Sequence, residues 1–321
     1  PSDVIIDCGG KMCFDFTPAS EADDGNNQNH PFVRLQGLTI TGGVAGNTGG
    51  PAIYAPMIKM QEWKYNGILQ SVIIIQSCIF QNHTSGGEGG VIYIKSKSFV
   101  QNWEVHNSTF INNRATGSGG AINIDSSVIL LSHVHFESNT ALGWGGVLRA
   151  TSKFVGSAVR VTGLHSLNNL AGIGGGVFSV LGANINVNGH SESTNDVALG
   201  RDGGGFLVAE ASTIKVSNTT LKHLQATTSD GGAFNVMGSI VELTNLNISD
   251  TLAKTSGGAL TSQLCTLKMN NVRVVRARVT GTARDKTSGG ALALFIRTRC
   301  EIVSSTFVAN EAPFAGGAIN C

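Results

Sequence analysis

Short stretches in which apolar and polar residues alternate recur along the whole chain. "AINIDSSVILLSHVHF" at 121–136 and "AFNVMGSIVELTNLNI" at 233–248 show the pattern well. Alternation over a few residues, broken by Ser, Asn or Gly, predicts short strands with one buried face. Sustained helical spacing with caps is absent. The strands are punctuated at a regular interval. The first Gly of each Gly-Gly that precedes a small or apolar residue falls at Gly49, Gly89, Gly119, Gly145, Gly175, Gly204, Gly231, Gly257, Gly289 and Gly316. The spacings are 40, 30, 26, 30, 29, 27, 26, 32 and 27. A period near 28 repeated this often marks a repeat architecture.

A second element keeps phase with the first. Nine residues before a Gly pair stand Phe80, Phe110, Phe136 and Phe307, and three residues after these stand His83, Asn113, Asn139 and Asn310. Ser166 and Ile248 fill the Phe slot before Gly175 and Gly257. Three short strands per unit, without helices, predict an all-β chain. It would form a single right-handed parallel β-helix of eleven to twelve coils, each of about 28 residues. Residues 1–48 would form the opening coils with an irregular loop, continuous with the repeat body at 49–321. Coils about 4.8 Å apart give a rod on the order of 50–60 Å long.

Each part of the repeat has an expected task. The pairs Gly119–Gly120, Gly231–Gly232, Gly257–Gly258, Gly289–Gly290 and Gly316–Gly317 would turn tight corners and let coils approach closely. Phe110, Phe136 and Phe307 would stack inside the rod. Asn113, Asn139 and Asn310 would form an amide ladder at a corner, where Asn tolerates the left-handed conformation.

The paired motifs "FINN…GGAI" at 110–122 and "FVAN…GGAI" at 307–319 resemble the GGA[ILV] and FxxN repeats of the chlamydial polymorphic outer-membrane proteins. "VIIDCGG" at 4–10 and "LQGLTITGG" at 35–43 are similar to the first coils of many secreted β-helices. The resemblance covers roughly 35–321 and implies a surface-displayed, adhesin-like passenger without catalytic residues. Several coils lack the Phe, and no transmembrane barrel follows, so the resemblance implies an extracellular adhesive or structural role rather than a particular receptor.

Composition narrows the function classes. Charged residues are 13%, apolar residues 41%, Gly 42 and Pro 6, in a chain of 321 residues with net charge +1. This is a turn-rich β composition, not a disordered one. No basic patch points to nucleic acid, and no apolar run is long enough to span a membrane. The chain begins without Met, which suggests a processed or excised segment.

The cysteines bear on the compartment, since a pair of disulfides would imply secretion, whereas the number of sequons is what chance gives. Cys8 and Cys13 flank a short loop that suits a local disulfide. Cys265 lies seven residues before Val272 and Cys300 seven before Phe307, so they should stack on adjacent coils within bridging range. Buried free thiols are the alternative. Cys78 reads as core, and Cys321 as a residue whose partner could lie beyond 321. Four Asn-x-Ser/Thr sequons, at Asn82, Asn107, Asn218 and Asn247, are candidate glycosylation sites, with unmodified turn Asn the equal alternative.

The parallel β-helix also carries polysaccharide lyases and hydrolases, which need clustered carboxylates. Asp202 and Asp230 precede the Gly pairs of adjacent coils and are the candidate acidic pair, although solvated corner residues are the plainer reading. "DDGNN" at 23–27 could hold a cation but reads as a surface turn. "NGH" at 188–190 lacks the partner motifs of a polygalacturonase. Trp63, Trp103 and Trp144 suit a sugar platform less well than packing. No spacing suggests a metal site or a cofactor. The expected function is a non-enzymatic extracellular rod, adhesive or structural, of a cell surface or a surface appendage. Its partners would be other protein chains, by end-to-end or lateral association, and cell-surface glycans. A polysaccharide-active enzyme or a glycan-binding module is the alternative.

Overall fold

A computed structural model describes residues 4–15, 33–46, 50–55, 73–95, 102–152, 158–282 and 288–321. These residues form strands and turns without a helix. The strands lie in three parallel sheets of sixteen, eleven and nine strands that run the length of a right-handed β-helix. In the eleven-stranded sheet each strand comes from a successive coil, so ten steps of about 4.8 Å give a stack roughly 48 Å long. Val4–Asp7, in the opening segment, pairs with Leu38–Thr41, which pairs in turn with Ile79–Gln81.

Alternation sets which side chains enter the rod, and left-handed residues reset it. In the ten-residue strand Val128–Glu137, Ile129 and Leu131 point inward, then Val134 and Phe136. Between them His133 takes φ 52° and bends the strand, so two consecutive side chains face out. Ser77, Asn107, Gly163, Asn218, Asn245, Asn271 and Ser304 occupy the same bend in other coils. A column of inward alanines, Ala115, Ala141, Ala171, Ala198, Ala226 and Ala253, lines the nine-stranded sheet.

The two glycines of each pair have different reasons to be glycine. Gly119 adopts φ +69°, and a Cβ there would meet the Ile122 carbonyl. Gly120 has no such dihedral, but its Cβ would collide with the carbonyl oxygen of Gly146 on the next coil. The first glycine turns the chain, and the second admits the neighbouring coil. The following Ala121 and Ile122 are both fully buried.

Phe80, Phe110 and Phe136 stack in register, with centroids 5.0 and 4.9 Å apart. The slot then runs through Ser166, Ser193, Leu221, Ile248 and Val274 to Phe307. Phe307 therefore packs over Val274 and joins no aromatic stack. This register also overturns the expected Cys265–Cys300 bridge. Val274, not Val272, holds the slot, so Cys300 lies opposite Leu267, and both cysteines are free. Asn113 and Asn139 depart from expectation too. The left-handed residues are their predecessors, Asn112 and Ser138, at φ 54° and 56°, while the Asn of the motif turns inward.

Candidate functional site

The inward Asn residues build a buried hydrogen-bonded file. Asn113 Nδ2 donates to Asn139 Oδ1 (2.9 Å), and Asn139 Nδ2 to Asn169 Oδ1 (3.0 Å). Each Nδ2 also reaches a carbonyl of the preceding Phe slot, Phe80 and Phe110 respectively. His83 heads the file as a neutral ring. Its Nδ1 accepts from the Gly43 amide (3.1 Å), so Nε2 carries the hydrogen given to the Ile40 carbonyl (3.0 Å). Burial lowers its pKa to about 4, against the Ile40 bond, which raises it. Asp196 closes the file. Its Oδ1 accepts from the backbone and Nδ2 of Asn169, at 2.7 and 2.9 Å, and its Oδ2 from Ser166 and Ser193, at 2.9 and 2.6 Å. Complete burial raises its pKa to about 6 despite these donors. Beyond it Leu224, Thr251 and Ala277 fill the slot, and Asn310 resumes it by accepting from the Ala277 amide (2.9 Å). This network is buried and bonds coil to coil.

Asp202 and Asp230 stand on adjacent coils, but their carboxylates turn opposite ways. Asp202 Oδ2 reaches back two coils to accept from Trp144 Nε1 (2.7 Å). Asp230 Oδ1 accepts from Thr255 on the following coil, and burial raises its pKa. The two candidate carboxylates therefore engage separate partners, Trp144 and Thr255. Trp144 also lies under the Arg149 guanidinium, 5.0 Å from its carbon, and Arg149 approaches Glu88 at 3.7 Å. Trp103 is 1% exposed and belongs to the core. At 188–190 Asn188 accepts from Thr162 and pairs with it across coils, while Gly189 and His190 take φ 72° and 51° at the bend. The acidic loop at 23–27, Trp63 and Gly49 lie outside the described residues.

The outer faces repeat coil by coil. Lys215, Glu242, Lys268 and Glu301 are register partners on one outer column. Lys215 Nζ lies 2.9 Å from Glu242, and that hydrogen bond lowers the Glu242 pKa. Arg276 holds Asp250 through two bonds of 2.6 and 2.7 Å and lowers its pKa. Asn271 Nδ2 donates to Asn245 Oδ1 (2.9 Å), and Asn245 Nδ2 to Asn218 Oδ1 (3.0 Å), an exposed amide ladder. It lines a shallow groove with Asn247 and Arg273. The sequon residues Asn82, Asn107, Asn218 and Asn247 are all exposed, the first three at left-handed corners.

Cys8 and Cys13 are joined in a disulfide with Cα atoms 5.3 Å apart. Cys78 is buried and free, and Cys321 is exposed and free. Among the described residues, no group of three or more His, Cys, Asp or Glu side chains is placed to hold a metal ion, and no helix is long and apolar enough to cross a membrane.

Two structural features escaped the repeat reading. Phe178, Phe206 and Phe234 form a second aromatic stack, edge-on, with centroids 5.4 and 5.6 Å apart. Phe178 and Phe234 share the third position after the first Gly of their pairs, where Leu207 is their register partner, and Phe206 lies one residue earlier. A Phe close behind three successive Gly pairs was the available signal. His135 and His165 meet on neighbouring coils, and their separation of 30 residues is one repeat.

Residues 107–125 match the Chlamydia polymorphic membrane protein repeat. The match spans one "FINN…GGAI" unit, from the bend at Asn107 to the end of strand Ile122–Asp125. No curated protein and no solved structure matches the chain significantly.

Proposed function

We propose that the chain is a non-enzymatic rod of a cell surface or surface appendage, such as a filament, flagellar hair or wall fibre, with a structural or adhesive role. The observation that carries this reading is the use of its polar groups. The buried file ties coil to coil, and Asp202 and Asp230 are each bound within their own corner network. The outer columns of charges and amides repeat at the coil spacing and present long, regular faces. Such faces suit lateral or end-to-end association with other chains and contact with cell-surface glycans. The match to a membrane-protein repeat supports a surface location. At the four exposed sequons we propose glycans when the chain is secreted by a eukaryotic cell.

The alternative is glycan recognition on the same scaffold. The groove along Asn218, Asn245 and Asn271 favours it, because amides offer both donors and acceptors to sugar hydroxyls. Polyuronates and neutral glycans incubated with the chain, with and without Ca²⁺, should remain uncleaved. Robust turnover that disappears in Asp202→Ala would overturn the non-enzymatic reading. Saturable glycan binding without turnover, lost in Asn245→Ala, would establish the glycan-binding alternative.

A further inference from the structure

We propose that His135 and His165 form a surface site for a divalent first-row transition-metal ion, bound by their Nδ1 atoms. The two residues are direct register partners on the strands Val128–Glu137 and Ala158–Leu167, and both side chains face outward. Their Nδ1 atoms face each other at 2.6 Å, and their ring centroids lie 4.7 Å apart. The parallel ladder fixes both backbones, so the donors converge without ordering a loop.

Glu137 supplies the second part of the argument. Its Oε2 lies 3.1 Å from His135 Nε2. A carboxylate accepts from that nitrogen, which places the ring hydrogen on Nε2 and leaves Nδ1 with a lone pair directed at His165. Carboxylate, histidine and metal in this order form the usual arrangement for orienting an imidazole ligand. An ion at this position replaces the Nδ1–H···Nδ1 hydrogen bond that His165, in its Nδ1–H tautomer, gives to His135, and the outer face gives a hydrated ion access.

Geometry selects the class of ion. With metal–nitrogen bonds of about 2.0–2.1 Å, two cis imidazole nitrogens stand about 3 Å apart at a right angle and about 3.3 Å apart at a tetrahedral angle. Rotation of the rings about χ2 opens the present gap by a few tenths of an ångström to the right-angle value. The site therefore suits tetragonal Cu²⁺ or Ni²⁺ ahead of tetrahedral Zn²⁺, and imidazole is a good ligand for all three. Water fills the remaining positions. Glu192, the register partner of His165 on the next coil, is held 3.2 Å from Lys222 and stays outside the pair. The site does not depend on the rod reading.

Cu²⁺ titrated into the whole chain by calorimetry, in a buffer that does not chelate, should bind one ion through this pair. The paramagnetic resonance spectrum of the bound Cu²⁺ should show coupling to nitrogen. His135→Gln and His165→Gln should each weaken binding by about tenfold or more, and Glu137→Gln, which disturbs only the orienting carboxylate, by about tenfold. His106→Gln, on the far side of the bend, should leave the isotherm unchanged. Far-ultraviolet circular dichroism checks that the variants fold, which their outward positions favour. Binding that is unchanged in His135→Gln and His165→Gln, or Cu²⁺ without nitrogen coupling, would overturn the proposal.

Discussion

His83 and Asp196 sit at opposite ends of one buried file and respond oppositely to pH. The folded chain holds Asp196 at a pKa of about 6, above the unfolded carboxylate value, so it binds more protons than the unfolded chain. Its contribution is therefore favourable in acid and is lost as pH rises from about 4 through 6. His83 is lowered to about 4, so its stabilisation is complete above the unfolded value near 6.5 and is lost as pH falls toward 4. Between about pH 4 and 6 the two slopes oppose each other. Asp196→Asn should continue the file with a neutral amide and raise stability at pH 7–8 by up to about 3 kcal/mol, on the order of two pKa units. It should also expose the acid sensitivity of His83, which thermal melts from pH 4 to 8 would show. His83→Asn should give the converse, a chain that gains stability on acidification. Thr251 occupies the same slot with a buried hydroxyl that lacks a partner, so Thr251→Val should be neutral or stabilising by about 1 kcal/mol in urea unfolding. The identity of this slot was partly legible. Asn113, Asn139 and Asn169 lie six residues before their Gly pairs, but Asp196 lies eight before Gly204, and the slip hides it from a fixed count.

The corner and strand elements were legible where the period was kept. The Gly pair, the stacked Phe80, Phe110 and Phe136, and the inward apolar positions follow from the repeat alone. What failed was phase through a variable corner. Fifteen residues separate Val274 from Gly289, where the motif has nine, and counting back from the apolar residue Val272 misplaced Cys265 against Cys300. The division of labour within the Gly pair was not visible either, because it depends on the neighbouring coil. It predicts that Gly120→Ala, facing the Gly146 carbonyl, destabilises by about 3 kcal/mol or more. Gly37→Asn, at φ +65° with open space around its Cβ, should cost about 1 kcal/mol or less. Calorimetric melts of the two variants would separate crowding from dihedral strain. Phe110→Ala, removing the middle ring of the stack, should cost about 3–5 kcal/mol in the same assay.

At the scale of the whole molecule, the sequence reveals a stack because each unit can bury its apolar face only against its neighbours. It says less about the outside, since outward positions are unconstrained by packing. His135 and His165 became a pair only when the register placed one above the other. The central claim is that successive coils lie in this one register, which sets the outer faces that the proposed function would use. Paired cysteine substitutions test it most directly. Gln225 and Leu252 are register partners on the nine-stranded sheet and both face outward, whereas Gln225 and Arg278 are two coils apart. At about 4.8 Å between adjacent coils, Gln225→Cys with Leu252→Cys should form a disulfide under mild oxidation. At about 10 Å, Gln225→Cys with Arg278→Cys should not. Peptide mapping that finds the first cross-link and not the second is the predicted result; the second without the first, or neither, would contradict the stack.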